Sequence, residues 1–379
     1  MSVDLLPKRT VLVHDYLNQY GGAERVLEAM HELAPEAPVY TSMYQPDKMP
    51  DSYRQWDIHQ TWIGKIPVAR RNHQLVLPAY PLAFERLKLP GCDLVLSSSS
   101  AWAKMVAPPP GAVHVSYIHS PMRFAWNFKQ YCEREKLPSP ARIGLRPFMS
   151  VLRQRDKATL GRVDRLIANS SAVRDRIRDF WGRDAAVIFP PVEVDRFSPA
   201  PASEVQDYFL MVSRLVPYKR FDIAIEAFNR LKLPLWIIGD GRDRERLEAM
   251  AGPTVKFLGR LPDDEVRHIW ARCRATVFAS EDDFGIAQVE SQAAGRPVIA
   301  LAAGGVFDTV LPDETGVWVK EQTVDSLVDA VRRFDTLTFD TSRLVEHARG
   351  FSRQRYQREL VSVVNETLEA RRTGERTWN

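Results

Sequence analysis

The sequence predicts an α/β protein made of two parallel-sheet units. Three observations lead there. Short apolar runs alternate with segments of helical period along the chain, the pattern of βαβ units whose sheets carry helices on both faces. Many of those runs end in small, polar or charged residues, as strands do where they open into a ligand-facing loop. A length of 379 residues exceeds one ordinary core and suits two domains of about 150–200 residues each.

In the first half, "TVLVHDYL" (10–17) is an apolar strand, and after Gly21-Gly22 "AERVLEAMHELA" has helical spacing. "CDLVLSSSS", "VHVSYIHS" and "RLIANSS" are strands with small or polar ends, and "AAVIFPPVEVDRF" (185–197) is the last strand of this half and its exit. The stretch "PAPASEVQ" (199–206) has linker composition. The second half alternates more cleanly. "YFLMVSRL" (208–215) is a strand, "RFDIAIEAFNRL" (220–231) a helix, "PLWIIGDG" (234–241) a strand ending in a glycine turn, and "RDRERLEAMA" a helix. "VKFLGRL" (255–261), the acid-started helix "PDDEVRHIWARC", then "ATVFAS", "IAQVESQAAG", "PVIAL", "TGVWV" and the helix "TVDSLVDAVRRF" follow, with Gly295 as a helix stop. The expected organisation is a Rossmann-like domain over 1–198, a linker over 199–206, a second Rossmann-like domain over 207–355, and a C-terminal amphipathic helix over 356–379 that crosses back to the first domain. The two halves are expected to face each other across a cleft.

Composition bounds the partners. Hydrophobic residues make up 45% and charged residues 26% of the chain, which reads as globular. No apolar run approaches the roughly 18–20 residues of a membrane span, and the N-terminus lacks the apolar core of a signal peptide, so the expectation is a cytoplasmic protein. Cys92, Cys132 and Cys273 are scattered with no CxxC, which predicts reduced core thiols and neither a disulfide framework nor a zinc site. Net charge is only +4, but from Arg123 to Arg183 there are 15 Lys+Arg against 6 Asp+Glu, 15 − 6 = +9. That stretch is either a set of solvated helix faces or a surface that meets something anionic, a lipid headgroup layer or a phosphorylated substrate. No nucleic-acid motif accompanies it.

Several site types are excluded. There is no GxxxxGK[ST] and no GxSxG, "GDGRDR" lacks the third glycine of GxGxxG, and "HELAP" is not HExxH. What remains is a distributed set. Arg214 ends one strand and Lys219 follows across "LVPYK"; two cations at a strand end suit a pyrophosphate, and a plain surface pair is the alternative. Gly239 belongs to a "GDG" turn, and Gly21 and Gly22 open a helix after the first strand, where glycine admits a ligand to the backbone or simply makes a tight turn. His119 ends the strand in "VSYIHSPMR", as a site residue or a structural histidine. "ASEDDFGIAQVESQAAGRPVIA" (279–300) places acids, then Phe284-Gly285, at the end of one strand, and Glu290 on the helix that follows.

In this order and spacing, Arg214, Lys219, Asp282, Phe284-Gly285 and Glu290 resemble the retaining glycosyltransferases of family 4, which have the GT-B fold. The resemblance spans nearly the whole chain: "GGAERV", "HSPMR", "ANSSAVRDRI", "SRLVPYKRFDIAIEAF", "IGDG", "FLGRL", "EDDFGIAQVESQAAGRPVIA" and "GGVFDTV". It implies that Arg214 and Lys219 bind the donor's phosphates and that Glu290 accepts hydrogen bonds from the ribose hydroxyls. The backbone at Phe284, Gly285 and Ile286 would line the donor sugar, with Gly239 among the donor-binding residues. His119 would contact the sugar near the reacting carbon, and Gly21 and Gly22 the phosphates and acceptor. The family's first acid is usually Glu; here Asp282 stands at that position, and Glu281, one step away, is the alternative.

The implied activity is transfer of a hexosyl group from a nucleotide diphosphate sugar to a hydroxyl of a glycan or lipid-linked acceptor, with retention of configuration. Cations and a helix N-terminus would stabilise the departing pyrophosphate; no metal site and no cofactor beyond the substrate is expected. "HDYLNQYGGAERV" and "HSPMRFAWN" look most like bacterial mannosyltransferases of surface polysaccharides, so GDP-mannose is the first expected donor and a UDP-hexose the second. The alternatives are a sugar-nucleotide epimerase on the same fold and a non-catalytic nucleotide-sugar-binding module. "QTWIGKIPVARRNHQLVLPAYPLAFERLKL" (60–89), with Arg70-Arg71, joins the basic stretch in suggesting peripheral docking on an anionic membrane surface, against the alternative of an ordinary helix pair under a solvated basic face.

Overall fold

The computed structural model describes residues 5–68, 73–134 and 139–374. Arg70 and Arg71, read above as part of a basic surface, lie outside them, as do residues 135–138 of the basic stretch. The chain divides into two compact units, Met1–Pro191 with Gln354–Asn379, and Val192–Arg353.

The first unit holds a seven-stranded sheet of β1 (Thr10–His14), β2 (Val39–Thr41), β3 (Ile58–Gln60), β4 (Leu94–Ser99), β5 (Val113–Ile118), β6 (Arg165–Ala168) and β7 (Ala186–Val187), in the order β3-β2-β1-β4-β5-β6-β7. Every pairing is parallel. β1, β4 and β5 are buried along their whole length, as strands covered on both faces must be. On one face the helix Gly22–Leu33 sets Val26, Leu27, Ala29, Met30 and Leu33 against Leu12 and Leu96. The same core contains Tyr356, Leu360, Val361 and Val364 of the helix Arg353–Thr373, whose residues from Gln354 onward belong to this unit. Tyr117 meets Tyr356 edge-on at 5.6 Å. The opposite face is filled by a second cluster that includes Val11, Val13, Tyr80, Phe84, Trp102 and Met105.

The second unit carries β8 (Phe209–Val212), β9 (Leu235–Ile238), β10 (Val255–Gly259), β11 (Ala275–Phe278), β12 (Val298–Leu301) and β13 (Gly316–Val319), in the order β10-β9-β8-β11-β12-β13 and again wholly parallel. The helix Phe221–Leu231 contributes Phe221, Ile223, Ala224, Ile225, Ala227 and Phe228 to the core. The helix Val324–Phe334, capped by Thr323 through a hydrogen bond from the Ser326 amide, buries Leu327, Val328, Val331 and Phe334 in the same core.

Two expectations about boundaries change. The stretch 199–206 lies inside the second unit, and the chain passes between units at Pro191–Val192 and Arg353–Gln354. The reason is packing: Phe197 and Ala200 sit against a cluster that includes Trp270, the Gln206 amide donates to the Arg272 carbonyl at 2.7 Å, and Glu204 pairs with Arg272. The strand expected over 185–197 is reduced to Ala186–Val187, since Pro190-Pro191 removes two ladder donors. β2 and β3, three residues each, were not legible because neither shows a sustained apolar period.

The three cysteines are buried and form no disulfide; burial pushes the Cys92 and Cys273 thiols up, away from the reactive thiolate. A charged group occupies the interior of the first unit. Lys104, 1% exposed, places its ammonium 2.6 Å from the carboxylate of Asp156, itself wholly buried. The Trp126 and Trp181 indole N–H groups donate to the other Asp156 oxygen at 2.7 and 2.8 Å, and the ammonium also donates to Thr159 Oγ1 and to the Asp156 carbonyl. Removing one partner of such a pair strands the other in a low-dielectric interior. Lys104→Ala is expected to lower stability by about 3–5 kcal/mol, read as a fall in the urea midpoint; an unchanged midpoint would mean that water reaches Asp156.

Candidate functional site

In the first sheet the strand order reverses between β1 and β4, and in the second between β8 and β11. Open α/β sheets bind ligands outside the carboxyl ends of their strands at such a switch point, so each unit has one place where a site is expected on topology alone.

In the second unit that place holds most of the predicted residues. β8 runs into Ser213 and the exposed Arg214, and Lys219 lies in the short 3-10 turn Pro217–Lys219 that follows. β11 runs into Ala279, Ser280, Glu281 and Asp282. The structure brings Lys219 and Asp282 together: the ammonium donates to Asp282 Oδ1 at 2.5 Å, with both side chains about one-fifth exposed. Met211, Ser213, Lys219, Phe278, Ser280 and Asp282 all line one small cavity here.

Close backbone approaches hold these loops. Gly239, which directly follows β9 with φ 135°, lies against the loop that carries Arg214; a Cβ there would come within 1.9 Å of the Ser213 carbonyl oxygen. Its neighbour Asp240 accepts the Leu215 amide at 3.0 Å. On the other side, Gly305 donates its amide to the Asp282 carbonyl at 2.9 Å, and a Cβ on Gly305 would stand 2.2 Å from the Phe284 oxygen. Both distances lie far inside van der Waals contact, so only glycine fits. The glycines of "GGVFDTV" carry this task, and a glycine pair directly after an apolar run is the sequence signal for it.

Gly285 caps the helix Ile286–Ala293, and Glu290 lies half-buried on its second turn. The polar residues on the helix's buried face are satisfied. Thr309 Oγ1 donates to Gln288 Oε1 at 2.5 Å, Gln292 Nε2 donates to the Thr309 carbonyl at 2.7 Å, and Ser291 Oγ donates to the Arg296 carbonyl at 3.0 Å. His347 Nδ1 reaches Gln292 Oε1 at 2.7 Å. Phe284, 3% exposed, stacks obliquely on Phe351. Glu290 is thus presented by a helix whose rotation is fixed by hydrogen bonds as well as by packing.

In the first unit, Gly21 and Gly22 start the helix after β1, and His119 directly follows β5. His14, the last residue of β1, and Ser98 of β4 meet across the switch point at 3.1 Å, and Ser98 Oγ reaches His119 Nε2 at 2.8 Å. Asp15, the next residue, is buried and accepts four consecutive amides, from Ser100, Ala101, Trp102 and Ala103, at 2.6–2.9 Å. It fixes the loop after β4. Sequence reasoning missed His14, Asp15 and Ser98; an acid placed directly after a buried strand, and four serines ending another, were the available signals. Among the described residues no group of three or more His, Cys, Asp or Glu is arranged to hold a metal ion.

The family described as "Glycosyltransferase Family 4" matches residues 20–196 and that described as "Glycosyl transferases group 1" matches residues 194–350. The GDP-mannose-dependent alpha-(1-6)-phosphatidylinositol monomannoside mannosyltransferase of Mycobacterium tuberculosis is 31% identical over 206 residues, 46% of this chain and 53% of that protein. The D-inositol 3-phosphate glycosyltransferase of Geodermatophilus obscurus is 28% identical over 251 residues, 56% and 55% of the two chains. The chain spans about half the length of these curated relatives. Among solved structures, Anabaena HepE in complex with UDP superposes with a TM-score of 0.68 at 18% identity, over 94% of this chain and all of that one. Sucrose-phosphate synthase from Thermosynechococcus elongatus gives 0.71 at 18% identity, over 96% and 100%. With two doubly wound parallel sheets, and with family models that together account for residues 20–350, the chain belongs to the family 4 glycosyltransferases of GT-B fold.

Proposed function

We propose that the chain transfers a hexosyl group, mannose in first place, from a nucleotide diphosphate sugar to a hydroxyl of a glycan or lipid-linked acceptor. The observation that carries this reading is the Lys219–Asp282 pair at the second sheet's switch point, with Arg214 on the neighbouring strand end. A departing nucleoside diphosphate gathers negative charge in the transition state, and fixed cations that meet it lower the barrier. Arg214 supplies a planar donor fork and Lys219 a compact charge. No divalent ion is assigned to the leaving group, because these cations fill that task. Glu290, by its place in the family motif, accepts the ribose hydroxyls.

This reading gives the first acid a further task. Asp282 holds the Lys219 ammonium and leaves two of its N–H bonds for phosphate oxygens. It therefore acts on the donor through Lys219 as well as by its place beside the sugar. This contact favours Asp282 over Glu281 as the working acid. In the first unit the reading assigns His119 to the donor sugar and the Gly21-Gly22 turn to the phosphates and acceptor.

Support for the donor comes from likeness. A relative is named for its dependence on GDP-mannose, and a solved neighbour was crystallised with UDP and with UDP-glucose. GDP-mannose is the first donor of this reading and a UDP-hexose the second. The acceptor is taken to lie at an anionic membrane surface. The helix Ser139–Ala158 exposes Ile143 and Val151 together with Arg146, Arg155 and Lys157, an apolar and basic face suited to a headgroup layer. Among the described residues no helix is long and apolar enough to cross a membrane.

Three outcomes are expected. In calorimetry with the bare nucleotide diphosphate, Lys219→Ala weakens binding about 10–100-fold, the size of a lost charge-assisted hydrogen bond of roughly 1.5–3 kcal/mol. Asp282→Asn weakens it less, Glu290→Ala costs about 1–3 kcal/mol, and Glu281→Gln leaves it unchanged; binding by Lys219→Ala within twofold of the parent would remove Lys219 from the phosphate site. A thermal-shift series with GDP, UDP, ADP and dTDP raises the melting temperature most with GDP, by mass action; a larger shift with UDP reverses the donor order. Turnover of the sugar nucleotide without acceptor would make the enzyme an epimerase. In liposome flotation the protein rises with anionic vesicles and is released by salt, each basic residue near the surface contributing roughly 1 kcal/mol; equal recovery with neutral vesicles ends the docking reading.

A further inference from the structure

A line of buried polar groups runs through the first unit's switch point. It begins at Glu24, on the first turn of the helix that Gly21 and Gly22 open, and ends at His119. Glu24 and His14 are 3% and 2% exposed, with Glu24 Oε1 3.6 Å from His14 Nε2. His14 Nδ1 lies 3.1 Å from Ser98 Oγ, and Ser98 Oγ lies 2.8 Å from His119 Nε2. The line thus joins two motifs that lie far apart in sequence, "GGAE" and "HSPMR".

We propose that Glu24 and His14, acting through Ser98, fix which nitrogen of His119 carries the ring proton, and so act as positioning residues for the sugar-contacting histidine. The inference rests on the reading of His119 given above. His14 stands between two buried carboxylates, Glu24 and the adjacent Asp15, with the Tyr16 phenol beside both. In the proposed line His14 Nδ1–H donates to Ser98 Oγ, with the Glu24 carboxylate on the Nε2 side of the ring. A serine hydroxyl has one proton, and with its oxygen already accepting from His14 that proton goes to His119 Nε2. His119 Nε2 is therefore an acceptor and the ring proton sits on Nδ1. Asp15 does not compete for the His14 protons, since its oxygens are filled by four backbone amides. Gly21 matters to the first link, because a Cβ there would approach Glu24 Oε2 to 3.3 Å.

The test uses the full chain with ring-nitrogen-labelled histidine, assigned by His14→Gln and His119→Gln. Long-range proton–nitrogen correlation is expected to show a proton on Nδ1 of His14 and on Nδ1 of His119. Ser98→Ala cuts the line without removing a charge, and Glu24→Gln keeps the shape and removes the charge. Each is expected to move the His119 proton toward Nε2. Each is also expected to lower kcat about 10–100-fold, the size of outer-shell effects on an oriented imidazole, with donor dissociation constant unchanged. Combined with His119→Gln, neither should lower kcat further. A His119 ring whose proton already sits on Nε2 in the parent, or whose tautomer is unmoved by Ser98→Ala, overturns the relay. If the tautomer moves as expected and His119→Gln still turns over normally, the relay stands and the sugar contact assigned to His119 fails.

Discussion

The switch point of a parallel sheet is the constraint on which the rest of this structure depends. Where β8 and β11 lie side by side but feed connections that leave in opposite directions, no crossover covers the gap between their carboxyl ends. The two loops that leave this gap carry Arg214 with Lys219 and Asp282 with Phe284. The same reversal between β1 and β4 sets His14 and Asp15 beside Ser98 and the loop 100–103 that follows it. The strands need only be apolar and buried to set this up; what the site does is decided by the few residues at and just past their ends.

Those residues are held by backbone as much as by side chains. Gly239 lets the β9 loop press on the loop of Arg214, and Gly305 lets the β12 loop press on Asp282 and Phe284. In the first unit the same need is met by a side chain, with Asp15 taking the four amides of the loop after β4. Both devices remove loop freedom before any ligand arrives, which lowers the ordering cost of binding.

How much of this was legible follows from where the signal lies. The strands of the second unit stood out because most are apolar runs closed by Gly, Asp or Arg, and the family motif then named Lys219, Asp282 and Glu290. β2 and β3 escaped because three residues cannot display a period. The linker was misplaced because Pro-rich composition reports a lack of regular structure, and 199–206 holds only the 3-10 turn Ala202–Glu204 while still packing near Trp270. His14 and Ser98 went unnoticed because each looks ordinary alone; their meaning comes from the pairing of β1 with β4, which aligns His14 with Ser98 and which no local pattern encodes.

The two units solve one electrostatic problem in opposite ways. Lys104–Asp156 and the Glu24–His14 contact are buried, so they answer to their fixed neighbours, and strict geometry is what their desolvation secures. Lys219–Asp282 is left about one-fifth exposed. At that exposure the pair is weakened by solvent, and its ammonium can turn part of its hydrogen bonding to an incoming anion without breaking a buried network. A sealed pair holds a scaffold or a tautomer in place; a half-open pair can be recruited by a ligand. The degree of burial, more than the identity of the charges, separates a pair that can only hold geometry from one that a ligand can reach.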